Sequence, residues 1–356
     1  MKRVLLGMSG GVDSSVAAII LMEQGYEVIG ATMKLWDPED ETGQSKCCGD
    51  DSILDAKRVC DKLGIPHYTL NLKEEFKTCV INNFIEEYAN ARTPNPCIEC
   101  NKYMKFNYFY RKAMELDCDY IATGHYAKTE YSEKYKQYVL KKSNAGKKDQ
   151  SYVLYNIPQN IIEKVIFPLG KFENKEQIRK IAEEHGLLTA KKPDSQEICF
   201  IPDDDYAGFL MRTGKINSKE GPIVTKSGEV IGTHKGLIHY TIGQRKGLGI
   251  AHETPLYVID LDAKTNRLIV GEEKDIFSKV LYANNLNFTV NLSLENPIRV
   301  TAKVRYGAKD ALATLYLQNE ETIKLEFDEP QRAITRGQSV VFYIDDVLVG
   351  GGKIIS

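Results

Sequence analysis

No stretch of this sequence approaches the ~18 consecutive apolar residues of a membrane span, so no membrane partner is expected. Met1-Lys2-Arg3 leads into only four apolar-to-small residues before a Gly-Ser run. That is too short for a signal-peptide core, and the expectation is a cytoplasmic chain. Charge of one sign is also lacking: 47 Lys and Arg face 49 Asp and Glu, a net −2. Bulk charge therefore points to no nucleic-acid partner, although phosphate affinity depends on where cations lie rather than on their sum. There is no fixed-period repeat and no low-complexity tract. With apolar residues at 42% and charged residues at 27%, disorder is excluded, and 356 residues exceed what one core usually organises.

What is present begins as alternating strand and helix signals. Val4-Leu5-Leu6 reads as a buried strand, followed by a glycine-rich turn and an apolar helix from Ser14 to Gln24. Strands at Glu27 to Met33, His67 to Leu72 and Asp119 to Thr123 alternate with helices at Ser52 to Leu63 and Glu74 to Ala89. Such alternation means crossover units and a parallel sheet, with ligands at the carboxyl ends of its strands. Asn174 to His185 is one further helix, capped by Asn174 and stopped by Gly186. From Leu256 onward short strands with period-2 alternation take over: 256–259, 267–270, 299–306, 313–317, 323–327 and 340–344. Closely spaced turns between them suggest one or two small β-barrels. The expected fold is α/β, an N-terminal parallel-sheet domain over 1–205, a central β-rich RNA-binding domain over 206–276 and a C-terminal β-barrel over 277–356.

Ser9-Gly10-Gly11-Val12-Asp13-Ser14-Ser15 follows the first strand directly and opens the first helix. Glycines let backbone approach a phosphate, and helix N-terminal amides favour an anion there. Asp13 opposes simple anion binding unless a cation such as Mg²⁺ offsets it. The lysine of a Walker loop is missing, which argues against ordinary γ-phosphate transfer. The loop resembles the pyrophosphate-binding (PP) loop of the ATP pyrophosphatase superfamily, whose members adenylate a carbonyl oxygen and release pyrophosphate. A serine/glycine turn that merely caps a helix is the plainer alternative.

Of the eight cysteines, Cys97 and Cys100 form the only C-x-x-C, in a proline-set loop, Thr93 to Lys102, that enters a helix. Positions three apart on a helical turn can face one point, and a helix N-terminus lowers a thiol's pKa. Cys199 sits in a polar run leading to a tight turn, Lys192 to Phe200. With no second C-x-x-C or C-x-x-H, a four-ligand structural zinc site is not supported. Cys47 and Cys48 could clip a metal only awkwardly, while Cys60, Cys79 and Cys118 fall on apolar faces as small core residues. Seven lysines against two glutamates between Lys128 and Lys148 read, by themselves, as a solvated hairpin.

Several motifs in order carry a closer resemblance: Gly7 to Ser15, Thr93 to Phe106, Thr123 to Tyr126, Lys148 to Tyr152, Asp194 to Phe200, His239 to Ile250, Arg305-Tyr306 and Gly337 to Ser339. Together they are similar, nearly end to end, to the tRNA-specific 2-thiouridylases. The resemblance implies that Gly7, Met8, Ser9, Gly10, Gly11, Val12, Asp13, Ser14, Met33 and Gly124 bind ATP with Mg²⁺. It implies Cys100 as nucleophile and Cys199 as carrier of a persulfide sulfur, with Asn95, Pro96 and Cys97 bordering the target, the wobble uridine of the anticodon stem-loop. His125, Asp149, Gln150, Ser151, Arg305, Tyr306 and Gln338 would contact the tRNA. Plainer roles exist for several: His125 as a satisfied strand-end histidine, Asp149 to Ser151 as a helix cap, Arg305 as a surface charge.

Many family members carry an aspartate where this chain has Cys97. That change removes a carboxylate and supplies a third thiol. Two sulfur routes follow: a Cys199 persulfide attacked by Cys100, or a [4Fe-4S] cluster on Cys97, Cys100 and Cys199 with one open iron, which the C-x-x-C favours. Sulfur would arrive from a donor protein, such as a cysteine desulfurase or sulfur relay, or as inorganic sulfide. The lysine run, Arg245, Lys246 and Arg305 would form one tRNA-facing surface. The rival readings are another ATP pyrophosphatase, forming an amide or guanidine, and a non-catalytic RNA-binding module.

Overall fold

The structure, a computed structural model, describes residues 1–36, 48–193, 198–201, 203–216 and 218–356. Cys47 and Asp194 to Glu197 lie outside the described residues. Strands β1 (Arg3–Gly7), β2 (Glu27–Lys34), β3 (His67–Asn71), β4 (Tyr120–Ala122) and β7 (Val165–Ile166) form a sheet in the order β3-β2-β1-β4-β7. Every pairing in it is parallel. The chain winds from β1 outward through β2 and β3, then returns to place β4 on the other side of β1. The strand order therefore reverses between β1 and β4, the place where open α/β sheets form a ligand crevice.

The helix after β1, α1 (Val12–Glu23), carries alanines and branched apolar residues with almost no polar stripe, and it is buried on nearly all faces. Val16, Ala17, Ala18 and Ile20 share one core with Ile178 and Ala182 of the helix Lys175–Glu184 and with Val4 and Leu6 of the sheet. A fully buried side chain of this size contributes about 1.5–3 kcal/mol. The cap expected at Asn174 is present, its side chain accepting from the Gln177 amide.

The helix expected from Glu74 to Ala89 is interrupted: Lys73–Phe76 and Asn82–Ala89 are joined by a π-helical turn, Lys77–Ile81. After the cysteine loop, Pro96–Glu99 opens a helix that continues as a second π-helical run, Cys100–Tyr108. Phe76, Phe84, Cys100, Met104, Phe200 and Phe209 pack as one cluster across these segments. Cys60 and Cys118 are buried as expected for small core residues, and Cys79 is half-buried.

The central part holds four strands, β8 (Gly221–Thr225), β9 (Val230–His234), β10 (Tyr257–Asp262) and β11 (Arg267–Gly271), in the order β10-β11-β8-β9. The C-terminal part closes on itself. Strands β12 (Phe277–Phe288), β13 (Ile298–Lys303), β14 (Ala311–Asn319), β15 (Thr322–Arg332), β16 (Ser339–Ile344) and β17 (Val347–Ile354) run β12-β15-β14-β13-β16-β17, and β12 pairs back onto β17. The hairpin of β5 (Ala127–Ser132) and β6 (Gln137–Lys142) does not stand alone in solvent. Its β6 adds to the same sheet, with Lys141 and Leu140 opposite Val347 and Leu348. A segment from the first half of the chain thus extends the barrel sheet, and Tyr152 Oη donating to Ser339 O at 2.8 Å reinforces the seam.

Candidate active site

The glycine loop lies at the β1/β4 crevice. Met8 N donates to Ala31 O at 2.8 Å and Met8 O accepts from the Thr32 hydroxyl at 2.7 Å, which staples the start of the loop to β2. Gly10 takes φ +70°, a left-handed conformation that suits glycine. Ser14 Oγ accepts from Ser9 N at 3.2 Å, and Ser14 and Ser15 hydroxyls both donate to Gly11 O, at 3.1 and 2.8 Å. No side chain caps the N-terminus of α1 among the described residues. Its amides and dipole remain available to an anion. Gly124, just past β4, faces this point: a Cβ there would lie 3.0 Å from Ser14 N and 3.1 Å from the Asp13 carbonyl carbon. Met33, half-buried at the end of β2, completes the convergence of Gly7 to Ser14, Met33 and Gly124 at the carboxyl ends of three adjacent strands.

Asp13 is held by two side chains. Its Oδ2 accepts from Lys175 Nζ at 2.9 Å and its Oδ1 from Tyr126 Oη at 2.8 Å. Lys175, the first residue of the helix Lys175–Glu184, thus offsets part of the Asp13 charge. A second lysine, Lys192, bridges the loop to its surroundings, donating to Gly10 O at 3.1 Å and to Asp55 Oδ2 at 2.8 Å.

The cysteine loop is shaped by local chemistry. Asn95 caps the short helix by accepting from Cys97 N at 3.1 Å, and Pro96 occupies its first turn, where a missing N–H costs nothing. Cys97 is exposed and Cys100 is buried within the aromatic cluster. Cys199 is placed by its neighbour: Phe200 is buried against Phe76, Phe84 and Phe209, with centroids 5.2–5.6 Å apart. The three thiols share one neighbourhood, since Cys100 and Cys97 both act on Cys199 after burial itself.

The expectation of a helix-lowered thiol pKa is reversed. Burial pushes Cys100 up to about 11, with the Lys105 charge only opposing it. Cys97 is also raised by burial, again opposed by Lys105. Both Cys97 and Cys199 reach solvent yet lie in a protein-dense hollow, so the direction of their rise holds while water at the mouth tempers its size. Pro96–Glu99 opens a helical run that continues through Cys100–Tyr108 and Phe109–Glu115, so a helix N-terminus is present at the thiols and desolvation outweighs it. Among the described residues, no group of three or more His, Cys, Asp or Glu side chains is arranged to hold a metal ion.

The residues expected at the tRNA are distributed unevenly. Arg305 and Tyr306 are exposed, and Tyr306 lies close enough to Asp149 and Cys97 for both to act on its hydroxyl after burial. His125 is half-buried, with its Nδ1 2.7 Å from Thr123 Oγ1 and its Nε2 3.4 Å from Lys105 Nζ. Burial, then Lys105, holds its pKa well below the usual value. The ring is therefore neutral, with Nε2 accepting from Lys105 and Nδ1–H donating to Thr123. Asp149 and Ser151 are buried and bonded to each other at 2.6 Å, and Ser151 also meets Tyr343 Oη at 3.1 Å. Gln150 Oε1 accepts from Tyr126 N at 2.9 Å. No side chain caps the short helix Ser151–Leu154, so the helix-cap alternative fails there. Gln338 Nε2 donates to Thr93 O at 2.9 Å and Pro94 O at 3.3 Å.

Arg245 and Lys246 are exposed on a turn anchored by buried Leu248. The lysine run is less free than its count suggests. Lys141 pairs with Glu130 and Asp346, Lys142 with Asp310, Lys136 with Glu133, and Lys128 donates to Asn144. Of the five positive charges left once Glu130 and Glu133 are counted, Asp310 and Asp346 offset two.

Lys105, Lys175, Lys192 and Tyr126 stand at the site without having been singled out from sequence. Lys105 is five residues past Cys100. On a regular helix that spacing points to another face, but the i→i+5 pattern of a π-helix brings such positions together.

The comparisons with known proteins agree with this layout. A family model described as tRNA methyl transferase HUP domain matches residues 2–203, one described as tRNA methyl transferase PRC-barrel domain matches 209–272, and one described as Aminomethyltransferase beta-barrel domain matches 278–354. The chain is 52% identical over 354 residues to the tRNA-specific 2-thiouridylase MnmA of Clostridioides difficile (strain 630), covering 99% of this chain and 98% of that one. Proteins of the same name from Acetivibrio thermocellus and Clostridium kluyveri are each 51% identical, over 356 and 357 residues, covering 99% and 100% of this chain and 99% of each relative. With about half of all positions identical from end to end, the chain belongs to the tRNA-specific 2-thiouridylase family.

Proposed function

We propose that this chain is an ATP-dependent tRNA-uridine 2-sulfurtransferase acting on the wobble uridine of the anticodon stem-loop. The observation that carries the reading is the placing of an uncapped, serine-lined helix N-terminus and a trio of thiols in one α/β body. Uridine C2 is a poor electrophile because its oxygen leaves poorly. ATP, bound by Gly7 to Ser14, Met33 and Gly124, transfers AMP to that oxygen and releases pyrophosphate. The α1 amides and Lys175 stabilise the departing charge. Asp13 would help to hold a Mg²⁺, whose contribution would be to neutralise charge on the departing pyrophosphate.

The sulfur step uses two cysteines. The terminal sulfur of a Cys199 persulfide attacks C2, and AMP departs. Cys100 attacks Cys199 Sγ, so the transferred sulfur is reduced to the thiocarbonyl state while Cys100 and Cys199 are oxidised to a disulfide, which an external thiol resets. A sulfur-donor protein, such as a cysteine desulfurase or relay, hands the outer sulfur of its own persulfide to the reduced Cys199 thiolate. Free sulfide can instead attack Cys199 Sγ of the Cys100–Cys199 disulfide, which serves as the oxidant and leaves a Cys199 persulfide and a free Cys100. The test follows the products. ATP should yield AMP and pyrophosphate, and tRNA should gain the mass of an oxygen-to-sulfur exchange rather than of a methyl group. Cys100→Ser and Cys199→Ser should each abolish thiolation, and stoichiometric ADP and phosphate, or survival of either variant, overturns the reading.

A further inference from the structure

The turn before β16 touches all three parts of the chain. Arg336 reaches the central part, where its guanidinium pairs with Asp260 and donates to Leu261 O at 2.9 Å. Its carbonyl accepts from Thr93 N at 2.9 Å, on the cysteine loop. Gly337 takes φ +89°, and a Cβ there would lie 2.9 Å from both Arg92 Cβ and Thr93 N, so the two backbones meet without room for a side chain. Gln338 then donates to Thr93 O and Pro94 O. The turn is locked into the barrel by Gly337 N to Ile354 O at 3.0 Å and Ile354 N to Gln338 O at 2.8 Å. A buried charge closes the junction: Glu87, 6% exposed at its side chain, binds Arg92 at 2.8 Å and Lys353 of β17 at 3.4 Å.

What lies just downstream makes this placement consequential. Between Thr93 and Cys97 the chain is Pro94-Asn95-Pro96, with Asn95 already committed to the Cys97 amide. Two prolines fix φ and remove the local freedom that could absorb a displacement. The carbonyls gripped by Gln338 are therefore linked almost rigidly to Cys97 and, one helical turn on, to Cys100. The same barrel carries exposed Arg305 and Tyr306, the latter near Cys97.

We propose that Gln338 is a positioning residue: through Thr93 and Pro94 it holds the cysteine loop in register with the barrel, so that the barrel's docking on RNA and the placement of Cys97 and Cys100 are one event. This rests on the thiolation reading for its kinetic arm alone. Gln338→Met keeps length and removes both N–H donors, whereas Gln338→Lys keeps length and a donor.

The experiment measures thiolation kcat and KM for tRNA, and separately the alkylation rate of Cys97 in RNA-free protein, read by peptide mass spectrometry with the thermal midpoint as fold control. For Gln338→Met, kcat falls about tenfold or more because reacting groups are misplaced. KM for tRNA changes less than kcat, since the N–H groups that Gln338→Met removes are those bonded to Thr93 O and Pro94 O. Cys97 alkylation in the absence of RNA becomes faster, and Gln338→Lys recovers most of both values. A raised KM with unchanged kcat and unchanged alkylation would make Gln338 an RNA contact instead and overturn the proposal. So would a loss that Gln338→Lys does not relieve at an unchanged thermal midpoint. Should the parent protein fail to thiolate tRNA, the function reading falls, while the alkylation arm still decides the role of Gln338.

Discussion

Replacing Asp13 by Asn separates its structural from its catalytic share. The carboxylate accepts from Tyr126 Oη at 2.8 Å and from Lys175 Nζ at 2.9 Å, with the Asp13 side chain 28% and the Lys175 side chain 15% exposed. An amide oxygen can still accept from Tyr126, so the stability at stake is chiefly the ion pair. For a pair this open to solvent that is about 1 kcal/mol. In a domain of this size it lowers the thermal midpoint by roughly 2–4 °C. The expected effect on adenylation is of another order. Loss of a preorganised group that manages pyrophosphate charge costs about 10²-fold or more in rate, or about 2.7 kcal/mol of barrier. ATP–pyrophosphate exchange with saturating tRNA, run well below the midpoint of both proteins, reads the second quantity without interference from the first. If Asp13→Asn exchanges pyrophosphate within a fewfold of the parent while its midpoint drops by far more than the ion pair accounts for, the residue is a strut for Lys175 and the catalytic assignment fails.

Further tests address sulfur chemistry and RNA. Because burial pushes the Cys100 thiol up to about 11 and only the thiolate reacts, its alkylation rate should climb about tenfold per pH unit through neutral and mildly basic pH. A plateau below pH 9 would show that the burial argument has the wrong sign. Arg245→Ala combined with Lys246→Ala should lower the slope of log affinity for tRNA against log salt by about two, one for each phosphate released, and an unchanged slope removes that turn from the RNA surface. Gly124→Ala should abolish nucleotide binding with the fold retained, because its methyl would stand 3.0 Å from Ser14 N, and isothermal titration with ATP measures it.

The parallel sheet was legible because each of its longer strands is a short apolar run followed by turn chemistry and a helix. Strand β7 is only Val165–Ile166, too short to give a period. Strands β12 and β17 were missed for different reasons. Polar Asn284, Asn285 and Asn287 break the alternation of β12, and three consecutive glycines, 350 to 352, make β17 read as a turn. Those glycines are tolerated in a strand because neighbouring side chains such as Tyr155 and Leu286 pack directly on its backbone. At the site, the loop and the thiols were readable as motifs with their own local chemistry. Lys175 was not: it joins Asp13 from 162 positions away, through a helix whose packing against α1 only the tertiary fold decides. Lys105 escaped because a π-helical run has no sequence period by which to find it.

The sign of the thiol shifts bears on how such a site avoids wasting its own reagent. Three thiols in one neighbourhood would exchange disulfides and persulfide sulfur among themselves at a rate set by their thiolate fractions. A thiol with pKa near 11 is ionised to only ~10⁻⁴ at neutral pH, so Cys100 at rest is a poor nucleophile toward Cys97 or Cys199. Lys105 opposes burial at all three positions and also contacts neutral His125, which places its charge between the sulfur trio and the end of β4. Around buried Cys100 that charge acts more strongly than it would in water. On the proposed mechanism, an adenylated base that filled the mouth at Cys97 and excluded solvent would strengthen the pull of Lys105 on the thiols while supplying the electrophile. The burial that holds Cys100 protonated at rest would then tie sulfur transfer to the arrival of a substrate.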